Sequence, residues 1–236
     1  MTAAKLRALH VPGKPLLLPN VWDADTARIV EEASFPVVAT SSIAVASSLG
    51  YPDGEGAPVD EMFAAAARIA GAVAVPVTVD AESGYGLGAA EFVDRLLGTG
   101  AVGCNLEDTD HAAGKPRPVE EQAERLAAVR KAAGEDLVLN ARIDVFFRAE
   151  RQVEVLPEGI ERARAYLAAG ADCVYPIGIR SAEVLAEFVK AVSPAAVNGN
   201  RIEGADLASL GVARISLGGG VWAAARKWLA GYLREL

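Results

Sequence analysis

Short runs of apolar, β-branched residues alternate along this chain with longer segments whose apolar positions recur every three to four residues. The short runs fall at 16–21, 36–42, 76–81, 101–108, 137–143, 173–178, 195–200 and 214–218. Their length and near-continuous hydrophobicity mark strands buried on both faces. The segments 59–73, 89–97, 119–133, 158–169, 182–191 and 221–233 are rich in Ala and Leu, and several stop at glycine: Gly100, Gly134 and Gly170. Glycine closes a helix most easily, and Gly-Ala at 100–101 and 170–171 leads straight into the next strand. Eight strand-then-helix units predict an α/β fold, a (β/α)8 TIM barrel in a single domain over 1–236. An open doubly wound sheet has the same periodicity. No linker, low-complexity tract or second domain interrupts the pattern.

Connection lengths say which end of such a barrel is functional. Links from helix to strand are short, whereas 43–57, 109–118 and 145–157 are long, irregular and rich in Gly, Pro or charge, and all three follow strands. They belong to the C-terminal face, where barrels of this kind build their sites. Three strand ends on that face carry charge: Val79-Asp80-Ala81-Glu82-Ser83-Gly84-Tyr85-Gly86, Asn105-Leu106-Glu107-Asp108 and Asn140-Ala141-Arg142-Ile143-Asp144. Charge at the end of a buried strand is costly unless paired or holding a cation. Asp80, Glu82, Glu107 and Asp108 offer only oxygen, with no His/Cys cluster beside them, so a hard ion such as Mg²⁺ or Mn²⁺ suits them better than zinc. Pairing with Arg142 or capping of helices is the alternative. Arg142 is a planar fork suited to a substrate carboxylate or to a structural ion pair.

Composition removes other classes. The chain has 236 residues, a net charge of -8 and no basic stripe, which argues against nucleic acid as a partner. No apolar stretch reaches membrane-spanning length and the N-terminus lacks the apolar core of a signal peptide, so a cytoplasmic location without membrane association is expected. Cys104 and Cys173 sit in strand-like runs and read as buried, reduced thiols. In the last helix Trp222, Ala225, Trp228, Leu229 and Tyr232 form one broad stripe with more aromatic surface than a barrel's last helix needs.

Five motifs taken together resemble the isocitrate lyase/phosphoenolpyruvate mutase superfamily: Asn20-Val21-Trp22-Asp23-Ala24; Thr40-Ser41-Ser42 with Leu49-Gly50-Tyr51-Pro52-Asp53; the Asp80–Gly86 segment; Leu106-Glu107-Asp108; and Asn140–Asp144. The likeness runs in order through nearly the whole chain. It implies a Mg²⁺-dependent site for a small 2-oxo acid, its enolate or a phosphonate. Asp80 matches the metal-binding position, Glu82 and Glu107 the acidic residues that hold the metal's waters, and Asp53 a loop carboxylate near the metal. Ser41, with the backbone at Ser42 and Ile43, matches the cradle for substrate carboxylate and enolate oxygen, and Arg142 the substrate-binding arginine. The resemblance also implies exchange of the C-terminal helix between subunits of a homo-oligomer, a dimer or tetramer.

The sequence departs from the lyases of that superfamily at one place. Their loop after the fourth strand carries a catalytic thiol; here it reads Thr109-Asp110-His111-Ala112-Ala113-Gly114-Lys115-Pro116. Cleavage of isocitrate or methylisocitrate is thereby disfavoured, and the loop looks more like that of the phosphonomutase and oxaloacetate-decarboxylase-like branch. His111 is a candidate for proton transfer or for a surface role, and Lys115 for neutralising an anionic substrate or for plain solvation. Asn198 is a candidate for a substrate carboxylate or for a turn. Gly218-Gly219-Gly220 could open a phosphate-binding helix, and a barrel that binds a 2-oxo acid without turning it over is the non-enzyme alternative.

Overall fold

The computed structural model describes residues 2–236 and closes into the expected barrel. In chain order the strands are β1 (Leu16–Leu18), β2 (Asn20–Val21), β3 (Val38–Thr40), β4 (Val77–Asp80), β5 (Gly103–Glu107), β6 (Thr109–Asp110), β7 (Lys115–Pro116), β8 (Val138–Ile143), β9 (Cys173–Pro176), β10 (Ala196–Gly199) and β11 (Arg214–Ser216). The helices are α1 (Ala3–Ala8), α2 (Ala24–Glu32), α3 (Ser42–Leu49), α4 (Val59–Ala70), α5 (Ala89–Gly98), α6 (Val119–Ala133), α7 (Gln152–Ala168), α8 (Ala182–Val192) and α9 (Gly220–Tyr232). All barrel strands run parallel, in the order β1-β11-β10-β9-β8-β5-β4-β3-β2. β1 and β2 are two halves of one predicted strand, 16–21, broken at Pro19, which has no N–H to give to a ladder. The first half pairs with β11 and the second with β3, so this broken strand is the seam that closes the barrel.

Three predicted segments change character. Residues 43–57 are not wholly irregular: α3 occupies the first half and ends at Gly50 in the left-handed region, φ 92°. The loop expected at 145–157 is shorter, because α7 starts at Gln152 and carries Pro157 within it; read along the sequence, that proline is a stop. The loop 109–118 folds into a hairpin, β6 against β7. Helices α1 and α2, which the periodicity does not single out, are present, and α1 plugs the bottom of the barrel, where Leu6 packs with Leu16, Leu18, Val37, Ala39, Val102 and Val138.

Side chains alternate between the barrel interior and the helical shell. Register places Asp80, Asn105, Asn140 and Cys173 abreast, with Asn198 level with Arg214, so the interior is polar well below its mouth. The shell is incomplete on one side. Residues 200–213, between β10 and β11, form no helix, Leu17 of β1 stays 40% exposed, and no residue of α9 is buried.

Candidate active site

The charged strand ends converge on a cavity of about 370 Å³ at the C-terminal mouth, lined among others by Ser42, Asp53, Glu82, Glu107, His111, Arg142 and Asp144. Alternation explains the convergence: Glu107 at the end of β5 is level with Arg142 on β8, both facing inward. Arg142 Nη1 lies 2.5 Å from Glu107 Oε2, while its Nε and Nη2 reach the two carboxylate oxygens of Asp144 at 2.7 and 3.2 Å. Arg142 is thus both a cavity wall and a structural ion pair. Its fork is not free for a substrate carboxylate; Asp144, which received no role from the sequence, occupies it and is itself held by the Thr109 hydroxyl at 2.5 Å. An Asp two residues beyond an inward Arg, just past the end of the same strand, is the sequence signal for that pair.

Asp80 ends β4. Its Oδ2 accepts from the Ser42 amide at 3.1 Å and its own amide donates to Thr40 Oγ1 at 2.8 Å, whereas Oδ1 is buried with no hydrogen-bond partner. Ser41 stands at the N-cap position of α3, buried and without a side-chain capping bond; Ser42 lines the cavity, but its amide is committed to Asp80. Ile43 turns its side chain away, 44% exposed, leaving only its backbone in the first turn of α3.

Glu82 follows in the left-handed region, φ 48°, and its Oε1 accepts from the amides of Gly54 and Glu55, each at 2.9 Å. Glu55 answers by accepting from Ser83 Oγ and the Tyr85 amide, both at 2.6 Å. The two loops therefore lock each other, and Asp53 is carried to the cavity edge between them. His111, at the tip of the hairpin, places Nε2 2.7 Å from Glu107 Oε1. It packs over Gly54, where a Cβ would come within 3.3 Å of its Nδ1 and where φ is +82°, so only glycine fits without strain. Burial pushes the Glu82 and Glu107 carboxyls up to about 7; the loop amides on Glu82 and the Arg142 charge on Glu107 oppose it. Hydrogen bonding to Glu107 raises the pKa of His111.

Three candidates lie elsewhere. Asp108, next to Glu107, points the opposite way: it is fully buried and bonded to Tyr166 at 2.8 Å, Arg162 at 3.2 Å and the Asp144 amide at 3.0 Å, a scaffold rather than a ligand. Lys115 is exposed on β7 and does not line the cavity, where Pro116 stands instead. Asn198 is neither at a turn nor at the mouth; it faces the barrel interior, fully buried, and donates to Ser216 Oγ at 3.0 Å. The rim position belongs to Asn200, which donates to the Tyr175 hydroxyl at 2.7 Å. Cys104 is fully buried with its thiol pushed up to about 12 by burial, so it supplies no acid at the cavity.

A parallel barrel whose C-terminal mouth gathers Asp53, Glu82, Glu107 and Asp144 around Arg142 and His111 has the layout of a barrel enzyme. Residues 6–236 match the family model described as phosphoenolpyruvate phosphomutase, and the chain belongs to that family, within the isocitrate lyase/phosphoenolpyruvate mutase superfamily. The crystal structure of a candidate phosphonomutase of Burkholderia cenocepacia J2315 is 43% identical over 99% of both chains, with a TM-score of 0.92. An oxaloacetate acetylhydrolase solved with its product oxalate is 28% identical, covering 99% of this chain and 85% of its own, with a TM-score of 0.86. The 2-methylisocitrate lyase of Escherichia coli is 31% identical, over 78% of this chain and 68% of its own length. These relatives are lyases, hydrolases and mutases, and this chain is an enzyme of the same family. None of its helices, among the described residues, is long and apolar enough to cross a membrane.

Proposed function

We propose that the protein is a Mg²⁺- or Mn²⁺-dependent enzyme that breaks or rearranges a C–C or P–C bond of a small 2-oxo acid, with decarboxylation or related cleavage of a 2-oxo diacid favoured over retro-aldol lyase chemistry. The observation that carries this reading is Asp80 Oδ1, a buried carboxylate oxygen without a partner at the back of the cavity, close enough for its charge to act on Glu82 and Glu107. The donors fit a divalent ion with few protein ligands. Among the described residues no group of three or more His, Cys, Asp or Glu is close enough to chelate a metal directly. Mg²⁺ commonly keeps several waters and takes one or two carboxylates. Asp80 would hold it, and Glu82 and Glu107 would hold its waters. When bound, the metal supplies Lewis-acid stabilisation of negative charge on an enolate.

The chain's own groups do the rest. The first-turn amides of α3 beyond Ser42 have no intrahelical partners and aim positive dipole at the mouth, where a substrate carboxylate or enolate oxygen would accept from them. Arg142 is fixed by Glu107 and Asp144, so it presents one edge rather than a mobile fork. His111 stands where a proton could be exchanged with substrate, yet it is tied to Glu107 and perched on a hairpin. Removing one donor to a developing oxyanion commonly costs about 3–4 kcal/mol. Ser41→Ala, at the head of the helix that presents those amides, or Arg142→Ala, which leaves Glu107 and Asp144 unpaired at the mouth, should cost more turnover than His111→Ala. Oxaloacetate, phosphonopyruvate and 2-methylisocitrate, each assayed with Mg²⁺, test the reading. Turnover of oxaloacetate or phosphonopyruvate is expected; efficient methylisocitrate cleavage abolished by His111→Ala and spared by Arg142→Ala would reverse the roles. Binding of all three without turnover would leave a binding barrel.

We further propose that the enzyme assembles as a homo-oligomer, a dimer or tetramer, through exchange of α9. The helix buries none of its residues, exposes Trp228 (68%) and Tyr232 (49%), and leaves the wall at Leu17 bare. The exposed aromatics and the uncovered wall are what support this reading.

A further inference from the structure

The largest fully buried side chain of the molecule is a charged one, Arg214, 1% exposed on β11. In an eight-stranded barrel β11 and β5 are opposite walls, four strands apart whichever way one counts. Arg214 crosses that diameter: its Nη2 donates to Asn105 Oδ1 at 3.0 Å, the same oxygen that accepts from Asn140 Nδ2 at 2.8 Å. Its Nε and Nη1 have no hydrogen-bond partner, and among the described residues it forms no ion pair. A guanidinium in that condition costs several kcal/mol relative to a methionine of similar reach, so filling space does not account for it.

What the strut reaches does account for it. Asn105 is level with Asp80 and two residues below Glu107 on the same inward face. Arg142, the cation in the upper layer, is matched by Glu107 and Asp144. Arg214 is the positive charge on the barrel axis that no carboxylate pairs with: through Asn105 it reaches the layer of Asp80, whose charge it feels without an ion pair, one layer beneath Glu107.

We propose that Arg214 is a positioning residue that sets the charge of the active-site floor, favouring an anionic 2-oxo acid or enolate at the mouth at the expense of some affinity for the cation. The inference rests on the metal-and-enolate reading given above. Its signature is opposite in sign for the two ligands, because one fixed positive charge attracts an anion and repels a cation. A packing role has no such signature; loosening the floor weakens both.

The test is calorimetric, with Mn²⁺ titrated alone and oxalate titrated at saturating Mn²⁺. Arg214→Met should bind Mn²⁺ several-fold more tightly and oxalate on the order of tenfold more weakly, the scale expected for one charge acting through a protein interior. Arg214→Lys should restore both toward wild type. Arg214→Gln keeps a donor for Asn105 and removes only the charge, so it should show the same split and decides the matter if Arg214→Met does not fold. Affinities that move together, or stay unchanged, in Arg214→Gln and in any folded Arg214→Met overturn the inference. Wild-type protein that binds neither Mn²⁺ nor oxalate overturns the reading of the site itself, and the inference with it.

Discussion

Single residues here are defined by what they lack as much as by what they touch. Asp80 Oδ1 has no donor, and the physical expectation is that Asp80→Ala removes divalent-metal binding while leaving the fold intact, since the side chain packs little. Calorimetric titration with Mg²⁺ checks this; unchanged affinity would contradict it. His10 is the opposite case, a neutral imidazole whose Nδ1 meets the Leu6 carbonyl at 2.9 Å and whose Nε2 is buried without a partner. Burial and then the Arg214 charge lower its pKa from 6.5 to about 4. The unfolded chain takes up a proton below 6.5 that the folded chain refuses until about 4, so stability present above 6.5 is lost as pH falls through that window. At about 1.4 kcal/mol per unit, the loss approaches roughly 3 kcal/mol. Urea midpoints of wild type and His10→Phe at pH 7 and pH 4.5 should differ more at the lower pH, with wild type the more destabilised. Such details were only partly legible in the sequence. Acidic strand ends stand out because buried charge is rare, but the partners of Asp108 are 54 and 58 positions away, and only the folded chain shows that they claim it.

At the level of elements, the hairpin 109–118 and the loop carrying Gly54 meet over the cavity through His111, a contact that glycine alone permits. Gly54→Ala should therefore cost about 1 kcal/mol or more of stability from the left-handed backbone, and it should lower substrate affinity as His111 is displaced. Thermal melts and the KM for oxaloacetate measure the two effects. If the hairpin closes on substrate, limited proteolysis between Thr109 and Pro118 should slow when oxalate and Mg²⁺ are added together; cleavage at an unchanged rate would argue against closure. The strands were legible in the sequence because short, continuous apolar runs rich in β-branched residues suit a strand covered on both faces and little else. Helix α3 was not, since its serines and its Gly50 cap read as loop, and α7 was truncated by a proline that the helix tolerates near its start. Asn198 misled for a different reason: its place near a strand end suggested the mouth, but alternation along β10 turns its side chain into the barrel interior, onto Ser216.

For the molecule as a whole, the barrel was readable from the alternation of strands with helical segments, and the surplus aromatic stripe of α9 was readable too, whereas the bare wall beside β1 was not, because residues 200–213 lie between two strands where the alternation expects a helix and form none. The paired substitution Trp228→Glu and Tyr232→Glu should shift the assembly toward monomer; light scattering on wild type should give a mass above 24.5 kDa and on the variant a mass near it. Trp22, which meets Trp222 edge-on at 4.8 Å, would keep α9 attached at its root in either state. The seam at Pro19 reaches further than architecture. Leu16 pairs with Arg214, so the strand that docks on the seam, β11, is also the one that delivers the axial guanidinium. Closing a loop of that span is among the most entropically demanding contacts the chain makes and belongs late in folding. A ribosome-bound chain that has emerged only as far as β10 already possesses Asp80, Glu82, Glu107 and Arg142 but not the cation beneath them. Full affinity for an anionic ligand would then arrive with the final strand, which makes recovery of oxalate binding during refolding a clock for barrel closure.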